Sequence, residues 1–250
     1  MKEVMTIEQI LKRKSAKQPL RILEKRILDL VYKPFVEWYT TRETAYKYQD
    51  LTLKIKPGVF HPRFFCSTGY MLEFLEFINF SRKKVLEIGS GSGLISIVAA
   101  KEGANVTAID ICPYAVENTA ENVNRNLDKF LKNSGSVSVI QSDLFENVPS
   151  GVFDVLIVNP PFYQGEVNKV GEHAWYAGKD FEYFQKLFSK CRNHMDMESE
   201  MYMVLSEDCN FDKINEIALD NSFKLKAVSF KQFVTEHFYI FKIETLLLSA

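Results

Sequence analysis

The segment Asn159-Pro160-Pro161-Phe162 sets a carboxamide and an aromatic ring three residues apart, behind a run of strand character at 153–158. The prolines end that strand, because neither can donate a backbone hydrogen bond, and they hold Asn159 in an extended conformation. The asparagine oxygen and a neighbouring carbonyl could then accept both hydrogens of a planar amino group while the ring covers its face. The segment therefore indicates chemistry on a planar nitrogen, and an ordinary turn after a core strand is the alternative.

A glycine-rich turn, Glu87-Ile88-Gly89-Ser90-Gly91-Ser92-Gly93, stands between a predicted strand and a predicted helix. Glycines at such a turn let a ligand approach the backbone closely. The spacing is G-x-G-x-G, which differs from the G-x-G-x-x-G of dinucleotide-binding turns. Asp110 ends the next strand, 21 residues after Gly89, where a carboxylate can accept hydrogen bonds from both hydroxyls of a ribose. Ile111 follows and offers an apolar surface to an adenine face, with plain core packing as the alternative.

Another acidic side chain, Asp143, follows the third predicted strand within Ser142-Asp143-Leu144-Phe145. It could accept a hydrogen bond from an adenine amino group, although a single aspartate after a strand is often a turn residue. Polar groups at the carboxyl ends of successive strands converge on one edge of a parallel sheet. The glycine-rich turn, Asp110 and Asp143 together therefore predict a nucleoside pocket.

Alternating strands and helices from residue 84 onward must position these groups. Regular β-α-β alternation predicts a doubly wound α/β domain with a seven-stranded, mostly parallel sheet that ends in an antiparallel hairpin. The predicted strands are 85–88, 106–109, 137–140, 155–158, 201–205, 224–230 and 237–243. The predicted helices are 94–101, 114–131, 181–191 and 211–220.

The first 56 residues read as a small helical and extended appendage. Apolar residues recur at helical spacing over 20–38, and alternation over 51–55 indicates a half-buried strand. A further helix is predicted over 68–80. We therefore expect an appendage at 1–56 and the α/β domain at 57–250.

Composition restricts the function classes. The chain has 250 residues, 46% of them hydrophobic, a formal net charge of −1 and a pI near 6.5, which do not suit a general polyanion binder. Its four cysteines and four histidines lack the spacing of metal ligands or of a disulfide framework. No run has the length and apolarity of a signal peptide or a membrane span. We expect a cytoplasmic protein with no metal and no membrane partner.

Taken together, Glu87–Gly93, Asp110, Asp143-Leu144 and Asn159–Phe162 resemble the class I S-adenosylmethionine-dependent methyltransferases over roughly residues 57–243. The resemblance implies a Rossmann-like fold, S-adenosyl-L-methionine as cofactor and S-adenosyl-L-homocysteine as product. It implies catalytic roles for Asn159, Pro160, Pro161 and Phe162. The cofactor-binding residues that it implies are Glu87, Gly89, Ser90, Gly91, Gly93, Asp110, Ile111, Asp143, Leu144 and Asn159.

Two further stretches, 51–63 and 172–180, resemble the HemK/PrmC release-factor glutamine methyltransferases. That family usually continues with Pro-Glu-Thr-Glu where this chain has Phe64-Phe65-Cys66-Ser67, commonly carries tyrosine at the position of Phe162, and has a longer N-terminal bundle. His173, Trp175 and Tyr176 follow the motif in sequence. They are candidates to line an acceptor pocket, with surface loop residues or a packed lid as the alternative.

The sequence is therefore compatible with four candidate functions. The resemblance favours methylation of a protein glutamine, with a peptide-chain release factor as partner. Methylation of an exocyclic amino group in RNA or DNA is the main alternative, and a small structured RNA suits the near-neutral charge better than a long duplex. A non-catalytic nucleoside-binding module would retain the pocket but not need the Asn159–Phe162 segment. The glycine spacing disfavours a nicotinamide dehydrogenase.

Overall fold

A computed structural model describes Ile10, Val36, Phe130 and residues 38–126, 134–167, 170–233 and 236–246. The helix predicted over 20–38 lies outside the described residues, apart from Val36 and Trp38.

The described residues form nine strands and five α-helices. The strands are β1 Thr44–Tyr48, β2 Leu51–Ile55, β3 Lys84–Ile88, β4 Asn105–Asp110, β5 Ser136–Gln141, β6 Val155–Val158, β7 Glu200–Ser206, β8 Phe223–Gln232 and β9 His237–Thr245. The helices are α1 Cys66–Leu75, α2 Leu94–Lys101, α3 Pro113–Arg125, α4 Glu182–Cys191 and α5 Phe211–Asp220.

Seven of the strands form one sheet in the order β5-β4-β3-β6-β7-β9-β8. The first five of these are parallel, and β9 pairs antiparallel with both β7 and β8. The predicted mostly parallel sheet with a terminal antiparallel hairpin is confirmed. The strand order reverses between β3 and β6, which places a crevice at their carboxyl ends, where doubly wound proteins bind ligands.

Both faces of the sheet are covered, as a parallel sheet requires. The β6 sequence Val-Leu-Ile-Val is buried at every position, because alternate residues point into the two cores. One core packs the sheet against α4 and α5, and the other packs it against α1, α2, α3 and β2. The crevice edge is therefore framed by rigid elements on both sides.

Strand β1 was not predicted, and it pairs with β2 as an antiparallel hairpin that docks on α3. Three asparagines spaced one helical turn apart make the attachment. Their amide oxygens accept the backbone N–H groups of residues 52, 54 and 56 at 2.8–3.0 Å: Asn126, Asn122 and Asn118. Helix side chains thus replace a neighbouring strand along this edge of β2. The division of the chain at residue 56 stays a prediction.

Two helices differ from the predictions at both ends, and α4 begins one residue later than predicted. Helix α1 begins at Cys66 and ends at Leu75, not at 68 and 80, because the chain closes into tight turns in which Phe77 and Ile78 bond back three residues. Helix α3 begins at Pro113 and ends at Arg125, not at 114 and 131. The side chain of Asn126 donates to a carbonyl in the last turn of α3 and to Thr52, which fixes the helix end against β2.

Candidate active site

The glycine-rich turn between β3 and α2 is held in a conformation that its glycines allow. Gly89, Gly91 and Gly93 all have positive φ, at 80°, 54° and 77°. A Cβ atom on Gly93 would stand 2.8 Å from the side chain of Thr119 on α3, so the turn also needs a small residue there. The turn therefore brings its backbone to the crevice at the start of α2.

Asp110 ties this turn to the end of β4. One carboxylate oxygen accepts the N–H of Gly91 at 2.9 Å, and the other accepts the N–H of Cys112 at 2.9 Å. Burial raises the pKa of Asp110, against the lowering effect of these backbone hydrogen bonds and of His173. Each carboxylate oxygen keeps a second lone pair, so the fixed carboxylate can also accept hydrogen bonds from a diol. The next residue, Ile111, is half-buried.

Glu87 lies one residue before the end of β3 and is buried. The hydroxyl of Ser96 on α2 donates a short hydrogen bond to its carboxyl group. Burial raises the pKa of Glu87 to about 8, and the charge of Asp110 acts in the same direction. Glu87 is therefore mainly protonated at neutral pH. A cationic group bound beside it would stabilise the charged carboxylate.

The loop after β5 carries the other nucleoside candidates. Leu144 has a φ of 51°, which is unusual for a residue other than glycine, and it is buried. Asp143 makes an ion pair with Lys186 of α4 at 2.5 Å. A strained residue beside a fixed carboxylate at the sheet edge is typical of a binding loop.

Asn159 stands at the end of β6 with its amide nitrogen engaged. That nitrogen donates to the hydroxyl of Ser67 at 3.2 Å and to the hydroxyl of Thr68 at 3.5 Å. Among the described residues, no donor bonds the amide oxygen of Asn159, which leaves it as an acceptor for a ligand. Its backbone carbonyl is 3.8 Å from the position of a Cβ atom on Gly89, so the motif lies beside the glycine-rich turn.

The remaining motif residues, Pro160, Pro161 and Phe162, are packed into the fold after Asn159. Pro160 and Pro161 are buried, and Phe162 is half-buried at the junction of the two cores. The ring of Phe162 packs on Phe238 of β9, with 6.0 Å between ring centroids. This contact fixes the ring relative to Asn159.

The loop after the motif folds back on the connector that precedes α1. Backbone hydrogen bonds of 2.8 and 2.9 Å pair Tyr163 with the segment at Trp175–Ala177. Trp175 then packs against Phe65 at 4.8 Å and Phe60 at 5.6 Å between ring centroids, and Phe60 stacks on Phe65 at 4.0 Å. We call these three rings the aromatic cluster. It lies next to the glycine-rich turn, because a Cβ atom on Gly91 would stand 4.0 Å from the Cβ of Phe60.

The other two loop candidates lie apart from the aromatic cluster. Tyr176 packs on Gly165, where an added Cβ atom would stand 2.6 Å from the tyrosine ring. His173 is exposed, and its charge reaches Asp110. The structure therefore brings Trp175 into a packed cluster and places His173 within electrostatic reach of Asp110.

Sequence reasoning missed several residues that shape this site. Ser67 and Thr68 hold Asn159, but Thr68 was taken only as the start of a helix and Ser67 only as part of the departure from the resembled family. Lys186 was not considered at all. Ser67 and Thr68 are adjacent hydroxyl residues at a predicted helix start, and this signal could have identified them as partners for the carboxamide of Asn159. Nothing in the local sequence around Lys186 indicates its contact with Asp143.

Within the described ranges, no group of three or more histidine, cysteine, aspartate or glutamate side chains could hold a metal ion. Among the helices that the structure describes, none is long and apolar enough to cross a membrane.

Comparison with known proteins identifies a family. The sequence profile of the methyltransferase small domain family matches residues 50–242. A protein of Methanocaldococcus jannaschii, provisionally named a protein N5-glutamine methyltransferase, is 38% identical over 137 residues, which are 53% of this chain and 64% of that protein. The ribosomal RNA small subunit methyltransferase C of a Marinomonas strain is 27% identical over 201 residues, which are 77% of this chain and 52% of that protein. The chain thus spans between half and two thirds of the length of these curated relatives.

A solved structure shares the fold. The T. thermophilus 16S rRNA N2 G1207 methyltransferase, in complex with AdoMet and guanosine, superposes with a TM-score of 0.58 at 17% identity. The match covers 82% of this chain and 50% of that chain.

Proposed function

The chain belongs to the methyltransferase small domain family, and we propose that it is an S-adenosylmethionine-dependent N-methyltransferase that acts on a planar amide or amino nitrogen. One observation carries the proposal. The carboxamide of Asn159, at the carboxyl end of β6, is held by two hydroxyl groups through its nitrogen, and none of the described residues donates a hydrogen bond to its oxygen.

The residues of the crevice fit the cofactor. Glu87 is a buried acid, and among the described residues no cation pairs with it, which suits the ammonium group of the methionine end. The fixed carboxylate of Asp110 suits the two ribose hydroxyls, and Ile111 offers an apolar face to adenine. The glycine-rich turn with Ser90 leaves room for the ligand against the backbone, and the loop at Asp143-Leu144 supplies polar groups for the base edge.

When bound, S-adenosylmethionine supplies a methyl group that its sulfonium has already activated. The remaining difficulty is the acceptor, because the lone pair of an amide or aryl amino nitrogen is delocalised into a π-system. The amide oxygen of Asn159 and the carbonyl of Pro160 would accept the two N–H bonds and favour a more tetrahedral nitrogen. Positive charge that develops on that nitrogen would be stabilised by the same two oxygens.

Phe162 would cover the plane of the acceptor and fix the angle of approach. Because its ring is packed on Phe238, and because two prolines separate it from Asn159, the ring and the carboxamide form one preset unit. Catalysis would then come mainly from orientation and from fixed dipoles, with the proton lost to solvent after transfer.

The hydroxyl groups that hold Asn159 should matter for turnover more than for cofactor binding. In a Ser67→Ala, Thr68→Val double variant the carboxamide is free to rotate, and we expect kcat to fall by about tenfold or more, since small misplacements of a catalytic group are costly. The measurement is methyl transfer under saturating cofactor, with the dissociation constant of S-adenosylhomocysteine determined in parallel. Ser81→Ala, at an exposed turn, is the control. A normal kcat in the double variant would remove the positioning role of the two hydroxyls.

We propose a protein glutamine as the acceptor, with a peptide-chain release factor as the candidate partner and the cytoplasm as the location. The Methanocaldococcus relative supports this choice. So does the charge of the loops beside the motif. The described residues of the loops that follow β6 and β7 and precede β9 include six acids and one lysine: Glu166, Glu172, Asp180, Glu207, Asp208, Glu236 and Lys179. An acidic rim disfavours a phosphate backbone.

The second candidate acceptor is the exocyclic amino group of a base in a structured RNA. The aromatic cluster favours it, because stacked rings beside a pocket are the usual means of holding an unpaired base. The Marinomonas relative, named for ribosomal RNA, supports the same candidate.

One labelling experiment separates the two acceptors. The purified protein is incubated with tritiated S-adenosylmethionine and a host lysate, and the product is divided between protease and nuclease. For a protein acceptor, we expect the macromolecular label to survive digestion with nuclease and to be lost on digestion with protease. The reverse pattern would contradict glutamine methylation and support the RNA acceptor.

A further inference from the structure

The geometry points to Lys186 of α4 as a positioning residue that fixes Asp143 to recognise the 6-amino group of adenine. The inference rests on the proposed function, because it concerns the nucleoside end of the same pocket. It assigns to α4, which lies outside all the sequence motifs, a part in choosing an adenine nucleoside over one with a 6-oxo base.

Lys186 bridges two carboxylates at the end of β5. Its ammonium group lies 2.5 Å from Oδ2 of Asp143 and 2.6 Å from Oε1 of Glu146. Burial lowers the pKa of Lys186, but the hydrogen bonds and charges of these two carboxylates raise it by more. The net effect is a raised pKa, so the group stays charged. Two negative partners hold the ammonium, and the ammonium in turn holds Asp143.

The backbone around Asp143 is already fixed by its own hydrogen bonds. The Ser142 hydroxyl donates to the carbonyl of Leu144 at 2.6 Å and accepts the N–H of Asn147 at 2.9 Å. The amide of Asn147 donates to the carbonyl of Gln141 at 2.9 Å. The ion pair with Lys186 restricts the direction of the Asp143 side chain, which these hydrogen bonds do not fix.

The ion pair leaves one oxygen of Asp143 for a ligand. Oδ2 is engaged by Lys186, and among the described residues no donor bonds Oδ1. A carboxylate oxygen can only accept. The 6-amino group of adenine would donate a hydrogen bond to it. A 6-oxo group would instead place its own acceptor oxygen next to the carboxylate oxygen, and the two would repel. A held carboxylate therefore discriminates between the two bases, and a freely rotating one discriminates less.

Tyr183 lies one turn before Lys186 on α4 and is within electrostatic reach of Asp110 and Asp143. Burial raises the pKa of Tyr183, and the carboxylates of Asp110 and Asp143 raise it further. The neutral hydroxyl thus lies in the field of both acids that flank the proposed nucleoside.

The test compares two ligands on the full chain by calorimetry: S-adenosylhomocysteine and its 6-oxo analogue, S-inosylhomocysteine. We expect the wild type to prefer the adenosyl ligand by at least about tenfold, as a charge-assisted hydrogen bond implies. In Lys186→Met that preference should fall to within about threefold of equality, because Asp143 loses its fixed orientation. Lys186→Arg should retain it.

Two further variants keep the test independent of folding. Lys190→Met removes the same charge from the same helix without touching Asp143, and it should keep the wild-type preference. Asp143→Asn should shift the preference toward the 6-oxo ligand, because its amide can turn a donor to the base edge.

The outcomes separate the two proposals. If Lys186→Met loses affinity for both ligands by the same factor, or keeps the wild-type preference, Lys186 has only a structural role and the inference is wrong. If the wild type binds neither ligand, both the proposed cofactor and the inference about Lys186 are wrong. A preference that changes in Lys186→Met and is kept in Lys190→Met supports the inference.

Discussion

An Asn159→Ala protein is expected to transfer methyl groups about 10³-fold more slowly than the wild type, which is the cost of removing one fixed dipole from a developing charge. Its affinity for S-adenosylmethionine should fall by no more than about threefold, because the substitution keeps the backbone carbonyl of Asn159, which is the group that lies near Gly89 of the glycine-rich turn. The loss arises because the amide oxygen can no longer accept a hydrogen bond from the acceptor nitrogen.

Single-turnover transfer of a tritiated methyl group, together with calorimetric binding of the cofactor, measures both quantities. Asn79→Ala, which removes the same side chain at an exposed position after α1, should leave transfer and binding unchanged. Near-normal turnover in Asn159→Ala, with the cofactor still bound, would contradict the mechanism.

A Glu87→Gln protein is expected to be more stable than the wild type near neutral pH and to bind the cofactor more weakly. The pKa of Glu87 is about 8 in the folded protein, far above that of an unfolded glutamate. As pH rises above the unfolded value, the unfolded chain releases this proton while the folded protein keeps it, so wild-type stability falls up to about pH 8. Glutamine carries no such proton, and we expect a gain of about 3 kcal/mol at pH 7.

The same substitution should weaken binding by tenfold or more, because a charged hydrogen bond to the ammonium group contributes roughly 1.5–3 kcal/mol. Binding to the wild type should release a proton from Glu87 below pH 8, so that the binding enthalpy depends on the ionisation enthalpy of the buffer. In Glu87→Gln that dependence should vanish. Ser189→Ala, on the exposed side of α4, serves as the control. A variant that is less stable than the wild type, or that binds the cofactor equally well, would remove the proposed role of Glu87.

The sequence predicted the sheet well where burial decides the pattern. The apolar run at 155–158 has no polar residue to interrupt it, and the structure contains that strand with the predicted ends. Helices 94–101 and 211–220 also match, because each lies between clear turn residues; the first is apolar and buried almost all round, and the second has one apolar face. Strand β1 was missed because Thr-Ala-Tyr-Lys-Tyr is only partly buried and contains no strongly apolar aliphatic residue.

The site was predictable only as far as the sheet edge determines it. Gly89, Asp110 and Asn159 meet because they follow neighbouring parallel strands, and that follows from the alternation of elements alone. Their specific partners were not predictable. Ser67 lies 92 residues from Asn159 in sequence, and Lys186 lies 43 residues from Asp143. Only the packing of α1 and α4 on opposite faces of the sheet brings these pairs into contact.

The most direct test of N-methyl transfer is the identity of the methylated atom. The acceptor captured from a lysate is methylated by the purified protein with a deuterated methyl donor, digested and sequenced by tandem mass spectrometry. We predict a single labelled methyl group on a side-chain amide nitrogen or a base amino nitrogen, and its absence when Asn159→Ala replaces the wild type. A methyl group on oxygen, sulfur, carbon or a ring nitrogen, or one that is still added by Asn159→Ala, would contradict transfer through the Asn159–Phe162 site.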